Sequence, residues 1–401
     1  MHQFIENGSV TSVNGFKAAG IFCGIKRKRK DLALIFSEKP CTAAGTFTLN
    51  KVKAAPLLIT KEMISKNEFA KAVLINSGNA NACTGDAGYN DALDIQKWCA
   101  EKLSISPDEI LIASTGVIGQ RLPMDVIKNG IDEIVPQLSA CGGLSAAEAI
   151  MTTDTKIKSY AVGVQLKKGT VTIGGIAKGS GMIMPNMATM LGFITTDAAI
   201  AKPLLYELLL TSVQKSFNKI SVDGDTSTND MVVLLANGAS GISIEKDSED
   251  YNSFLEALKA LCIEMAKSIV SDGEGASKLV TINVKNAKSQ EDANSIGKSI
   301  SNSPLVKTAI YGADANWGRI LSAAGQSGAD FEPSKVSIHF NDLPILLPDY
   351  TLALDEEKAA KILSQTEFSI NVDLGIGSEN CTWWTCDFTE EYIRINADYR
   401  T

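Results

Sequence analysis

The stretch "KGSGMIMPNMATML", residues 178–191, sets one small hydroxyl residue, Thr189, among apolar neighbours at the end of a glycine-rich, proline-containing loop. The apolar run at 190–195 reads as a buried strand, so Thr189 falls where loop becomes strand. A hydroxyl nucleophile placed there needs a base. The chain has only two histidines, His2 near the terminus and His339 inside the alternating run 336–340. A Ser-His-Asp or Cys-His mechanism therefore has no good candidate, and a histidine-rich metal site is excluded by number. A free α-amino group can serve instead, because its ordinary pKa of about 7.7–8.0 is close to working pH. Thr189 would own such an amine only after the Ala188–Thr189 peptide bond is cut. The threonine can make that cut itself: its Oγ attacks the Ala188 carbonyl, an N→O acyl shift gives an ester, and water releases two chains. Glycines ahead of the site let the backbone take the turn that presents a carbonyl to the hydroxyl. The competing reading of Thr189 is an ordinary β-branched strand residue.

Other chemistries find less support. At 174–181 the lysine precedes the glycine, whereas a phosphate-binding loop needs Gly-Lys-Ser/Thr before a helix, and no Gly-x-Gly-x-x-Gly opens a βαβ unit. Of the eight cysteines only Cys381 and Cys386 lie close together, with no matching second pair, so zinc knuckles are absent and reduced buried thiols are expected. The net charge of −8 argues against nucleic acid as a partner. The one basic run, Lys26-Arg27-Lys28-Arg29-Lys30, lies between the apolar stretches 20–25 and 32–36 and reads as an exposed hairpin turn. No apolar run approaches the roughly 18 residues of a membrane span, and the first residues carry no basic segment followed by an apolar one. A cytoplasmic enzyme without metal, cofactor, nucleic-acid or membrane partner is the expectation.

The 401 residues exceed what one hydrophobic core usually serves. Periodicity predicts helices at 55–69, 90–103, 123–138, 146–151, 201–217 and 251–270. It predicts strands at 32–36, 72–76, 109–115, 162–166, 171–176, 190–195, 231–236, 279–284, 336–339 and 368–374. Helices and strands are interleaved without strict alternation, which favours an α/β (α+β) body of layered mixed sheets flanked by helices. Shorter elements from about residue 278 suggest a smaller C-terminal α/β domain. Five loops mix glycine with amides, hydroxyls or acids: "NSGNAN" at 76–81, "STGVIG" at 114–119, "DGDTSTND" at 223–230, "SDGEG" at 271–275 and "YGADANWG" at 311–318. Each alone reads as a plain turn, but five on one chain suit a polar site where loops converge.

The pair "KGSGM" at 178–182 and "PNMATML" at 185–191 resembles the self-cleavage region of the ornithine acetyltransferase family. The resemblance extends over essentially the whole chain, through 76–81, 114–119, "MTTDT" at 151–155, 223–230, "DANWGR" at 314–319 and the tail "NADYRT" at 396–401. It implies an N-terminal-nucleophile-hydrolase-like arrangement and a precursor that splits at Ala188/Thr189 into an α chain, 1–188, and a β chain, 189–401, assembled as α2β2. It implies acetyl transfer from N2-acetylornithine to L-glutamate through an acetyl-threonine on Thr189, in arginine biosynthesis. Thr115 and Gly116 would supply the oxyanion hole, and Thr152, Lys178, Glu274, Asn396 and Thr401 match substrate-contacting positions. Some members of that family also take acetyl from acetyl-CoA, and no residue here decides between the two habits.

The residue types suit these roles. Acetylornithine carries an α-carboxylate and a side-chain ammonium, so Lys178 is a natural partner for one charge and Glu274 for the other. Both are expected in glycine-rich loops, where the alternatives are a solvated lysine and a surface glutamate. Thr401 ends the chain and could bring its own carboxylate, or it is a frayed end. Two rival functions are a self-processed aminopeptidase of the same fold, passing the acyl group to water, and a non-catalytic scaffold that migrates as one intact chain.

Overall fold

The computed structural model describes residues 2–184 and 190–397. They form a layered, mixed α/β structure in two compact units. The second unit comprises Ser180–Met184, Lys219–Gly224 and Val270–Thr401, and the first comprises the rest.

The first unit is built on a nine-stranded sheet among the described residues. Its order runs His2–Phe4, Lys158–Leu166, Gly169–Lys178, Leu191–Thr196, Met231–Ala236, Leu32–Phe47, Phe69–Asn79, Ile110–Val117, and Phe16–Ile21 pairs alongside Leu32–Phe47. The neighbours are antiparallel except Leu191–Thr196 with Met231–Ala236 and Phe69–Asn79 with Ile110–Val117. Strand residues alternate between the two faces. Ala33, Ile35, Val73, Ile75, Leu111 and Ala113 enter one core with Phe193, Val233 and the helix Gly143–Ala149. Their neighbours Leu32, Leu34, Ala72, Leu74, Ile110 and Ile112 enter another, against the helices Ala55–Lys66, Gly85–Leu103 and Met124–Ile134. A sheet covered on both faces needs apolar residues at successive positions, which is why these strands read as unbroken apolar runs.

The second unit carries a seven-stranded sheet among the described residues, ordered Thr351–Leu352, Leu343–Leu347, Ser337–Phe340, Glu367–Asp373, Leu279–Ala287, Glu379–Cys386, Ile220–Ser221. Here alternate residues are buried: Val280, Ile282, Val284, Phe368, Ile370 and Val372 pack with the helices Gln290–Asn302, Pro304–Tyr311, Trp317–Gly325 and Glu356–Leu363.

Departures from the expected elements have local causes. The helix predicted at 123–138 stops at Ile134, because Pro136 has no N–H to continue it, and a 3-10 turn at Val135–Gln137 follows. The strand predicted at 32–36 runs on to Phe47 through Pro40, tolerated because the register with its partner shifts between Phe36 and Cys41. The run 26–30 joins two antiparallel strands and exposes Arg27, Lys28 and Arg29 as expected, while Lys26 and Lys30 are half-buried. Asp31, fully buried, accepts the backbone N–H groups of Cys23, Gly24 and Lys26 and folds the loop back. Lys26 Nζ then donates to the Met151 carbonyl at 2.9 Å, Arg29 to the Asp154 carbonyl at 3.2 Å, and Lys30 pairs with Glu148 at 2.9 Å.

Phe193 is 1% exposed in the first of these cores. Phe193→Ala is expected to lower stability by roughly 3–5 kcal/mol, whereas Tyr206→Ala, on an exposed helix position, stays within about 0.5 kcal/mol. Urea unfolding of the two variants checks the difference.

Candidate active site

Thr115 and Gly116 end the strand Ile110–Val117. Gly116 has φ +135° and faces Gly78, φ +99°, across the parallel pair. A Cβ on Gly116 would lie 2.3 Å from the Gly78 carbonyl carbon, so only glycine allows the two backbones to approach this closely. The register slips just beyond, at Asn79, which frees backbone groups from the ladder.

Asn229 locks this corner together. Its buried amide donates to the Ala80 carbonyl at 2.7 Å and to the Ser114 carbonyl at 2.8 Å. Ser114 Oγ in turn donates to Asn76 Oδ1, and Ser77 Oγ donates to the Ala149 carbonyl at 2.6 Å. The segments 76–81 and 114–119, expected as loops, begin as strand ends, and they meet the end of 223–230 through side-chain amides and hydroxyls.

Beside them lies a buried ionic cluster. Thr152, half-buried, donates its backbone N–H to Asp154 Oδ2 at 2.9 Å. Asp154 is 0% exposed; it takes Lys158 Nζ at 2.8 Å and the Gly179 N–H at 2.8 Å. Burial alone would raise the Asp154 pKa, but the charges of Lys178 and Lys158 outweigh it and hold the carboxyl well below its usual range. Lys178 is the last residue of Gly169–Lys178, 6% exposed and paired in register with Leu191. It is a buried strand-end cation rather than a loop lysine. Lys26 carries the same field: burial lowers its pKa to about 8, with Asp31 opposing. Its stem crosses Gly78, where a Cβ would meet Lys26 Cγ at 2.7 Å.

In the second unit, Glu274 is 7% exposed, and Asn396 Nδ2 donates to its Oε2 at 2.9 Å. Asn396 lies on the helix Glu390–Ala397. Gly181 passes so close that a Cβ there would meet Glu274 Oε2 at 2.3 Å. Asp223 accepts the backbone N–H groups of Met182 at 2.5 Å and Ile183 at 2.7 Å. The loop at 311–318 has a structural role instead, with Asn316 capping the helix Trp317–Gly325. Ala188, Thr189 and Thr401 lie outside the described residues. Among the described residues no cluster of three histidine, cysteine or acidic side chains is placed to hold a metal, and no helix is long and apolar enough to cross a membrane.

The ArgJ family model matches residues 17–401. The chain belongs to the ArgJ family. It is similar to the "Arginine biosynthesis bifunctional protein ArgJ" of Oceanobacillus iheyensis, 47% identical over 400 residues, with 100% of this chain and 98% of that one covered. The "Arginine biosynthesis bifunctional protein ArgJ 1" of Clostridium acetobutylicum is 51% identical over 405 residues, covering 100% and 99%. A solved structure, the ornithine acetyltransferase of Mycobacterium tuberculosis complexed with ornithine, is 40% identical with a TM-score of 0.43, covering 46% of this chain and 99% of that one.

Sequence reasoning passed over Lys26, Asp154 and Lys158. Asp154 lay inside the quoted "MTTDT", and its spacing of four from Lys158 was the available signal; what hid the pair was its complete burial.

The Asp154 ion cluster makes a stability prediction for this ArgJ-family chain. A carboxyl whose folded pKa is depressed contributes stability that is full above its unfolded value, about 3.9, and is lost as pH falls through the folded value. Asp154→Asn is expected to cost about 3–5 kcal/mol at neutral pH by leaving buried lysines uncompensated. It should also flatten the loss of stability between about pH 5 and pH 2. Urea unfolding across that range checks both, and an unchanged acid slope would contradict the assignment.

Proposed function

We propose that the chain cuts itself between Ala188 and Thr189 and then moves an acetyl group from N2-acetylornithine to L-glutamate through an ester on Thr189. What supports this best is the placement of Lys178. A strand delivers this buried cation into register with Leu191, two residues beyond Thr189. A buried cation paired with the position two residues along the chain from a candidate nucleophile suits a reaction between two amino acids. Family membership and the relatives' names point the same way.

In this reading the Thr189 amine takes the proton of its own Oγ as that oxygen attacks the acetyl carbonyl. Thr115 and the Gly116 backbone hold the oxyanion, in the corner that Asn229 locks. Collapse of the tetrahedral adduct breaks the amide bond, and the Thr189 ammonium returns the proton to the α-amine of departing ornithine. The α-amine of glutamate then attacks the ester, and its proton passes back through the same amine to Oγ. Lys178 and Thr152 hold the α-carboxylate of each substrate, and Glu274 with Asn396 and Thr401 takes the ornithine ammonium. Acetyl-CoA is a second donor in the same scheme, as the relatives' "bifunctional" names suggest. The two chains assemble as α2β2 in the cytoplasm.

Initial rates with both substrates varied test the scheme. Parallel double-reciprocal lines are expected, and Thr189→Ala should be inactive and uncut. Intersecting lines, or acetylornithine cleavage at a rate independent of glutamate, would overturn it in favour of direct transfer or of a hydrolase.

A further inference from the structure

Asp230 closes the loop 223–230, immediately before the strand Met231–Ala236, and is 3% exposed. The scheme above gives it no part. Its backbone carbonyl accepts the Thr48 N–H at 3.0 Å. Its side chain accepts the backbone N–H of Met190 and a hydrogen bond from Ser227. Among the described residues its Oδ2 finds no partner, and neither does Thr46 Oγ1. Buried polar atoms are nearly always paired, so two orphans call for an account. Both belong to residues lining one cavity, whose other walls are Met190, Val213, Phe217, Asn218, Met231 and Val232. The room it leaves for a water-sized centre is about 10 Å³, close to the roughly 10–15 Å³ that one water needs.

We propose that Thr46 and Asp230 bind one water molecule, and that Asp230, held from there, is a positioning residue for acyl transfer through its grip on the Met190 amide. The second half rests on the acyl-transfer reading of Thr189; the water site does not. The link to residue 189 is covalent geometry. A planar peptide contains the Cα of one residue and the N–H of the next. Met190 follows Thr189 in the chain, so the Asp230 carboxyl holds the N–H of the peptide that joins the two. A misplacement of about 1 Å at a reacting group can cost on the order of 100-fold in rate.

The charge state fits this role. Burial raises the Asp230 pKa well above its usual value, against the opposing field of Lys178. Lys178 is the charged group acting on it from the neighbouring strands, since the cavity walls named above carry no other ionisable side chain. A neutral carboxyl has an O–H to give. Oδ2–H donating to the water, and the water donating to Thr46 Oγ1, satisfies both orphans without a buried unpaired charge.

Three variants of the full chain test the proposal. Asp230→Ala should lower kcat by on the order of 10- to 100-fold, with KM for glutamate within about twofold. Asp230→Asn, which keeps shape and donor, should recover most of that kcat. Thr46→Val should lower the melting temperature and reduce kcat several-fold, because it strips the water of an anchor. An Asn variant as impaired as the Ala variant, or an Ala variant with the parent kcat, would overturn the positioning role. A Thr46→Val protein that is more stable than the parent would overturn the water site, and it decides this even if Asp230→Ala fails to fold. Absence of acetyl transfer in the parent protein would instead refute the acyl-transfer reading, leaving the Thr46→Val melting comparison as the test of the water.

Discussion

A carboxylate with no solvent contact organises the polar cluster of the first unit. Asp154 draws the Thr152 and Gly179 amides and the Lys158 ammonium to one point, and its two cationic neighbours, Lys158 and Lys178, are themselves buried. Charges out of water are tolerable only when paired and hydrogen-bonded. The strand end at Lys178 and the loop at Thr152 are therefore held in one geometry by the need to keep that pairing. Lys26, folded back by the buried Asp31, adds a further cation over Gly78. The cluster thus holds more cations than anions, which suits a substrate that arrives with a carboxylate.

The corner at Thr115 and Gly116 depends on a different constraint, backbone approach. Gly78 and Gly116 lie opposite each other with positive φ, and the slip in register at Asn79 ends the ladder there. Asn229 bonds to both the Ala80 and the Ser114 carbonyls, so segments far apart in sequence meet at one corner. The second unit assembles its own polar group, Glu274 with Asn396, around the close passage of Gly181.

Much of this was legible in the residues. The layered α/β class follows from runs such as 32–36 and 231–236, whose unbroken apolar character matches a sheet covered on both faces. The segments 76–81 and 114–119 were marked by glycines, amides and hydroxyls, and at their strand ends Ser114 bonds to Asn76. Less visible was anything that depends on tertiary burial. The basic run 26–30 is solvated at Arg27, Lys28 and Arg29 as its composition suggests, but the buried Asp31, which no local pattern marks, draws Lys26 back over Gly78. Lys178 sits beside glycines in sequence yet ends a buried strand. Asp230 was one acid in a loop of polar residues, and its orphaned oxygen is a property of packing alone. Periodicity reports which face is apolar; it carries no information about which charges a fold encloses.

The central claim is that Thr189 begins a separate chain and carries the acetyl group between two amino acids. Intact-mass analysis of purified protein, before and after brief exposure to acetylornithine without glutamate, tests it most directly. The account predicts two chains divided between Ala188 and Thr189, with one acetyl group gained by the later chain at its first residue and lost again when glutamate is added. A single uncut chain that nonetheless transfers acetyl, or a cut protein whose later chain gains no mass while transfer proceeds, would contradict it.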